Sequence, residues 1–293
     1  QQGTVRWQAI HLESYDRSVF QSGDQNLLLA DLPHPDSDQC SYAVISDENG
    51  VCLQVLSTIS TEQEQRLASL LLSRAQRIPL QYLLGEQWFY GRHFRVDSRV
   101  LVPRQETETL CELGISFLNE RKAKQPSALD LCTGSGAIAI TLQCECPSAS
   151  VTASDLSGEA LKLAGENAAL YDSPIHFVQG DLWEPLSGQR FDLILSNPPY
   201  IPTEECQMLQ EEVRREPRMA LDGGKDGLDF YRRIVADGWK HLLPGGMLAM
   251  EVGDGQAKDV SELLRREEHY QKIQIHCDLY GKERIVSARS SEP

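Results

Sequence analysis

The sequence predicts an α/β protein: a doubly wound, mostly parallel seven-stranded sheet, preceded by a small, mainly helical N-terminal domain. Three observations predict it. From Ser127 onward, short apolar runs alternate with tight turns and helical patterns, as parallel strands joined by crossover helices require. The unusual residues of that region fall at the carboxyl ends of the apolar runs, where open α/β sheets hold ligands. The first 90 or so residues lack the alternation, so the expected division is 1–90, an N-terminal domain with its connector, and 91–293.

In chain order, Asn26 to Ala30 reads as a helical fragment. Tyr42-Ala43-Val44-Ile45 and Val51 to Leu56 flank Asp47-Glu48-Asn49-Gly50, which predicts a hairpin. Thr61-Glu62-Gln63-Glu64 is a capping box for a helix with Leu67, Leu70, Leu71 and Ile78 on one face, stopped by Pro79. Residues 79–110 form a connector rich in aromatic and turn residues, among them Trp88, Phe89, Tyr90, Gly91 and Phe94. Ser127 to Cys132 is a buried strand, Thr133-Gly134-Ser135-Gly136 a turn, and Ala137 to Leu142 the start of a helix. Val151 to Asp155 is the next strand, followed by a helix through Ala160, Leu163, Ala164 and Ala168. Ile175 to Val178, Phe191 to Ser196 and Met247 to Val252 continue the series, with Ile273 to Cys277 and Arg284 to Ala288 closing it at an antiparallel edge.

The 293 residues suffice for two domains, and the hydrophobic fraction of 41% with 24% charged residues is that of a globular chain. No run approaches the ~18 apolar residues of a membrane span, so a cytoplasmic protein without a membrane partner is expected. The eight cysteines are scattered, with no C-x-x-C and no histidines at zinc-ligand spacing, so reduced thiols and no metal are expected. A net charge of −15 repels phosphate backbones and argues against nucleic acid as a partner. A monomer is expected. His93, His176 and His241 sit among apolar neighbours in sequence and read as structural.

Asp130-Leu131-Cys132-Thr133-Gly134-Ser135-Gly136 ends a strand with glycines that let backbone approach a ligand at a helix N-terminus. The same glycines are common for steric reasons alone. Asp155 ends the next strand about 20 residues later, where a carboxylate can accept hydrogen bonds from both hydroxyls of a ribose; its other reading is an N-cap for the following helix. Gly180-Asp181-Leu182-Trp183 ends the third strand. Asp181 there could meet an adenine amino group and Trp183 could form a flat wall, or the pair could be a surface turn and ordinary core. A dinucleotide is a rival ligand, although Ala139 stands where the third glycine of G-x-G-x-x-G would fall.

Asn197-Pro198-Pro199-Tyr200 ends the fourth strand. Two prolines hold φ near −65° and donate no hydrogen bonds, so they present Asn197 and Tyr200 on a stiff loop. An amide, proline carbonyls and an aromatic ring suit a planar NH2 group, which needs acceptors for its protons and a face to stack on. This tetrapeptide has no role in hydride transfer, which disfavours the dinucleotide.

With these residues in hand the chain resembles the class I S-adenosylmethionine-dependent methyltransferases, and within them the HemK/PrmC family of N5-glutamine methyltransferases of peptide-chain release factors. The resemblance covers roughly residues 61–289. It rests on Leu101-Val102-Pro103-Arg104-Gln105-Glu106-Thr107-Glu108, Asp130 to Gly136, Asn197 to Tyr200, Glu216-Pro217, Ala220 to Gly224, Asp226-Gly227-Leu228, Glu251 to Gln256, and Asp278-Leu279-x-Gly281. It implies a Rossmann-like domain that binds S-adenosylmethionine through Cys132, Thr133, Gly134, Ser135, Gly136, Asp155, Asp181, Leu182, Trp183 and Asn197. It also implies that Asn197, Pro198, Pro199 and Tyr200 hold the substrate glutamine, with Asn197, Pro198 and Tyr200 catalytic. Arg104, Glu106, Glu108 and Glu216 read either as lining the mouth of the site, with Arg104 and Glu106 toward the substrate, or as a surface salt-bridge cluster. Gln105 replaces the family's proline. The implied reaction methylates the glutamine of a Gly-Gly-Gln loop in a release factor, with the N-terminal domain gripping that partner. The alternatives are another glutamine-bearing protein such as a ribosomal one, adenine in nucleic acid, or an S-adenosylmethionine-binding scaffold without turnover.

Overall fold

The structure, a computed structural model, describes residues 61–291 except Lys122 and Leu279, together with the backbone of five strands before residue 56. Contacts divide the chain into two compact units, residues 1–83 and 84–293.

In the first unit the strands are β1 (Arg6–Ile10), β2 (Phe20–Ser22), β3 (Gln25–Leu27), β4 (Tyr42–Ser46) and β5 (Cys52–Val55). β1, β4 and β5 pair antiparallel in that order, and β2 pairs antiparallel with β3. Helix α1 (Thr61–Ala75) follows, and Pro79 lies beyond its end. The unit therefore carries strands beside its helix and is more mixed than the mainly helical domain expected. The helical fragment expected from Asn26 is strand at Asn26 and Leu27; a five-residue helix forms too few hydrogen bonds to offset its nucleation, whereas pairing with β2 satisfies the backbone at once. Leu28 to Ala30, the Asp47 to Gly50 turn and the capping-box side chains of Thr61 and Glu64 lie outside the described residues.

A short helix, α2 (Leu80–Leu84), stands at the division of the chain. In the second unit the expected connector contains a hairpin, β6 (Glu86–Phe89) with β7 (Arg92–Arg95). Its two turn residues, Tyr90 at φ +48° and Gly91 at φ +72°, are both left-handed, the combination whose twist suits a two-residue hairpin loop. The elements that follow are α3 (Glu106–Glu120), β8 (Ser127–Leu131), α4 (Ala137–Glu145), β9 (Ser150–Asp155), α5 (Gly158–Leu170), β10 (His176–Gln179), β11 (Phe191–Ser196), α6 (Asp229–Gly238), β12 (Leu242–Glu251), α7 (Ala257–Arg266), β13 (Tyr270–Cys277) and β14 (Glu283–Ser290). The last seven strands form one sheet in the order β10-β9-β8-β11-β12-β14-β13. From β10 to β12 all pairs are parallel, and β14 runs antiparallel to both its neighbours.

The antiparallel strand is thus internal, not the edge. Ile285, Val286, Ser287 and Ala288 of β14 are all buried, whereas β13 is largely solvent-facing, and the strand with two apolar faces takes the inside position.

Alternate residues of the central strands feed two cores. Ala128, Leu193, Leu195, Met247 and Ala249 pack on the side of α3 and α4; Leu129, Leu131, Ile194, Leu248 and Met250 pack on the side of α6 and α7. Gly114 brings α3 close to the sheet, since a Cβ there would stand 2.8 Å from Cδ1 of Leu195. The chain runs outward from β8 to β10 and then returns to start β11 on the other side of β8. β8 and β11 therefore flank the switch point where open α/β sheets form their crevice.

Candidate functional site

A cavity of about 500 Å³ opens over the carboxyl ends of these strands, within the roughly 300–1,000 Å³ of small-ligand clefts. Its wall includes Cys132, Thr133, Gly134 and Ser135 after β8, Asp155 at the end of β9, Asp181 and Leu182 after β10, and Asn197 and Pro199 after β11. Arg104 and Thr107 enter from the start of α3. Residues separated by up to about a hundred positions converge because parallel strands end at one edge; Ser196 Oγ donates to the carbonyl of Leu131 at 2.7 Å and ties the two central ends together.

The loop after β8 is shaped from below by Asp130. Its side chain is fully buried, and Oδ2 accepts hydrogen bonds from Thr133 Oγ1 at 2.5 Å and from the Ala139 N–H at 3.1 Å. Burial pushes its carboxyl up to about 7. Gly134 has φ +55° with open space where a Cβ would stand, so its backbone is free to approach a ligand. Gly136 serves packing instead, since at φ +82° it heads α4 and a Cβ there would stand 3.1 Å from that of Ala164 on α5. It does not line the cavity; the close approach of the two helices requires it.

Asp155 accepts the N–H of Gly134 at 2.9 Å on Oδ2 and that of Ser157 at 2.8 Å on Oδ1. It is not the cap of α5, because Ser157 Oγ caps that helix by accepting the Ala160 N–H at 3.2 Å. Burial raises the Asp155 carboxyl above its ordinary value, although the same N–H bonds favour the charge. A carboxylate has about four lone-pair positions, so acceptor capacity remains for a ligand hydroxyl beyond these bonds. Asp181 also faces the cavity, and its Oδ2 pairs with Arg233 at 2.7 Å.

Trp183 corrects the expectation of an aromatic cavity wall. Leu182 at φ +48° turns the chain so that Leu182 enters the cavity, while Trp183 stacks on His241 with ring centroids 4.6 Å apart and an interplanar angle of 9°. Of the histidines read as structural, His241 is buried, with Nδ1 3.0 Å from the Gln189 carbonyl. His93 is part-exposed, pairing with Glu86 and lying against the Trp88 ring at 3.5 Å between centroids, while His176 is exposed and lacks the apolar surroundings expected.

The Asn197 loop is held from behind. Pro198 and Pro199 are buried, not outward-facing, because the chain beyond them pairs with a second segment: Ile201 N–H donates to Leu221 O at 2.9 Å and Gly223 N–H to Ile201 O at 2.8 Å. Side chains at Gly223 and Gly227 would strike the Tyr200 backbone at 2.7 and 2.3 Å, which explains both glycine motifs. Tyr200 does not line the cavity. Its carbonyl accepts Gln256 Nε2 at 2.9 Å, and its ring packs with the core on the α6 and α7 side. Pro198 and Glu106 are likewise absent from the cavity wall. Arg104 lines it and pairs with buried Glu216 at 2.5 Å, whose other oxygen accepts the Val102 N–H at 2.9 Å.

Two residues near Asn197 escaped the sequence reading as site members. Asn197 Nδ2 donates to Thr107 Oγ1 at 3.1 Å, and that hydroxyl donates to Glu251 Oε2 at 2.6 Å. Glu251 is 2% exposed, and burial pushes its carboxyl up to about 7. The signal was present: Glu251 ends an apolar run, Met247 to Met250, just as Asp155 does.

Residues 110–225 match the family model described as the methyltransferase small domain. A release factor glutamine methyltransferase of Deinococcus radiodurans is 39% identical over 276 residues, covering 93% of this chain and 98% of that protein. One of Geobacter sulfurreducens is 44% identical over 228 residues, covering 77% of this chain and 78% of that one. Among solved structures, a methyltransferase from Pyrococcus furiosus superposes with a TM-score of 0.51 at 18% identity, over 79% of this chain and 100% of that chain, a likeness of fold. Sheet, strand-end cavity and these matches together define a methyltransferase of the doubly wound class. More narrowly, the chain belongs to the release factor glutamine methyltransferase family.

Proposed function

We propose that this enzyme transfers a methyl group from S-adenosylmethionine to the side-chain N5 of the glutamine in the Gly-Gly-Gln loop of a peptide-chain release factor. The observation that carries the reading is the meeting of Asn197 with Gly134 and Asp155 in one cavity at the switch point. The cavity fits the donor: Asp155 keeps acceptor capacity for a ribose hydroxyl, Gly134 leaves its backbone open, and Cys132, Asp181 and Leu182 complete the wall. When bound, S-adenosylmethionine supplies an electrophilic methyl group on a sulfonium.

A glutamine amide nitrogen is a weak nucleophile because its lone pair is delocalised into the carbonyl. The protein must therefore orient it. Asn197 Oδ1 accepts one amide proton and the main chain of Asn197-Pro198-Pro199 accepts the other; the prolines carry no N–H that would compete. Held by both protons, the nitrogen lone pair points at the methyl group, and the surplus proton leaves to solvent after transfer. Tyr200 supports this loop from the side away from the cavity, through the Gln256 bond to its carbonyl. Arg104 guards the mouth, anchored by Glu216. The partner is a protein, in keeping with a net charge of −15, and residues 1–83 are assigned to gripping it. We assign the enzyme to the cytoplasm, as a monomer.

Incubation with labelled S-adenosylmethionine and a purified release factor, followed by mass spectrometry of the Gly-Gly-Gln peptide, tests the reading. Label on that glutamine is the expected result. Label on a ribosomal protein or on nucleic acid, with none on the release factor, overturns it.

A further inference from the structure

Thr107 is 5% exposed and stands between two functional groups, Asn197 at the transfer cavity and Glu251 at the buried end of β12. A threonine hydroxyl has one proton to give, and its lone pairs can receive. An ionised Glu251 can only accept, so it claims that proton through Oε2, and Thr107 Oγ1 is left able only to accept. The Asn197 amide must then turn its NH2 end to Thr107, which leaves Oδ1 for the cavity.

Protonation of Glu251 reverses the chain. The carboxylic acid donates to Thr107 Oγ1, the threonine proton becomes free to point at Asn197, and the amide turns to offer Oδ1 to it. The NH2 end then meets a substrate nitrogen that is itself a donor, and the acceptor geometry for methyl transfer is lost. We infer, on the function proposed above, that Glu251 is a positioning residue that holds Oδ1 of Asn197 toward the acceptor nitrogen, both through Thr107 and through its own contact with the Asn197 amide, and that only its ionised form does so.

The surroundings put the changeover near neutral pH. Burial raises the Glu251 carboxyl, and Glu106 on α3 adds to the rise. The Thr107 and Asn197 hydrogen bonds and Arg284 on β14 oppose it. Cys111 on α3, Tyr200 and Tyr231 on α6 also face this group, and burial holds all three in the neutral form. Tyr231 donates to the Glu251 main-chain carbonyl at 2.8 Å, which fixes the strand end without touching the carboxyl.

The test uses the full chain and the variants Thr107→Val, Thr107→Ser and Glu251→Gln, each compared with the parent by thermal melting. The first readout is the side-chain amide NMR signal of Asn197, followed from about pH 5.5 to about 8.5 around the expected titration. It should titrate in the parent and in Thr107→Ser, move over a smaller range in Thr107→Val, and stay flat in Glu251→Gln. The second is turnover with a release factor. Thr107→Val should lower kcat by roughly 10- to 100-fold at little change in KM and lose the acid limb of the pH profile, while Thr107→Ser restores both. An Asn197 signal that does not move in the parent, or that still moves in Glu251→Gln, overturns the inference. So does a Thr107→Val enzyme with the parent's kcat and acid limb. A parent without activity on any release factor would count against the proposed function alone, since the amide titration still decides the positioning role. If Glu251→Gln does not fold, the two Thr107 variants carry the comparison.

Discussion

The N–H of Gly134 donates to Oδ2 of Asp155 at 2.9 Å, joining the loop after β8 to the end of β9. One carboxylate thereby builds the glycine loop and still has acceptor positions facing the cavity. Replacement of Asp155 by Ala should weaken S-adenosylmethionine binding by roughly 10- to 100-fold, the worth of hydrogen bonds to a charged group. Calorimetric titration reads this directly, and an unchanged Kd would remove Asp155 from the binding site.

Asn197 is expected to matter for turnover more than for affinity, since in the proposed mechanism its amide acts on the acceptor nitrogen. Asn197→Ala should cut kcat by about 100-fold or more through lost orientation, with the Kd for S-adenosylmethionine changed far less. Single-turnover methyl transfer checks this; activity within a few fold of the parent would sink the proposed role.

The backbone behind Asn197 offers a test remote from the chemistry. Gly227 sits at φ +75°, and a Cβ there would lie 2.3 Å from the Tyr200 carbonyl oxygen. Gly227→Ala should destabilise the fold by roughly 1–3 kcal/mol through overpacking and displace the Asn197 loop. Urea denaturation together with kcat should show both losses; a fully stable, fully active variant would mean that the close approach is not required.

Asp130 makes stability depend on pH in a direction that can be stated. Its carboxyl is ordinarily half-ionised at 3.8 and is pushed up to about 7 in the folded protein by burial. Between those values the folded state holds a proton that the unfolded state has lost. Its contribution is therefore fully present below about pH 4 and is lost as pH rises through about 7. Asp130→Asn, which cannot titrate, should show a flatter fall in stability than the parent across that window. Denaturant midpoints measured along the pH range decide it, and parallel curves would be the contrary result.

What was legible in the sequence follows from local rules. Strand, turn and helix repeat visibly from Ser127 because each buried parallel strand is a short apolar run, and Gly134, Asp155, Asp181 and Asn197 stood out because each ends one. All four line the cavity. The hairpin at Tyr90-Gly91 was missed because its turn places a tyrosine at φ +48°, a conformation tyrosine does not advertise.

By itself the sequence determined the parallel α/β architecture, the strand-end residues that line the cavity and, through its motifs, the family. Tertiary structure alone decided which side of each strand-end loop faces inward. A single positive φ at Leu182 sends Trp183 behind the cavity, and the pairing of Ile201 with the segment after Leu221 turns Tyr200 away from it. It also decided that Thr107 and Glu251, separated by 144 positions, meet beside Asn197. Hydrogen bonds between elements depend on how helix α3 lies across the sheet, and no pattern along the chain encodes that distance.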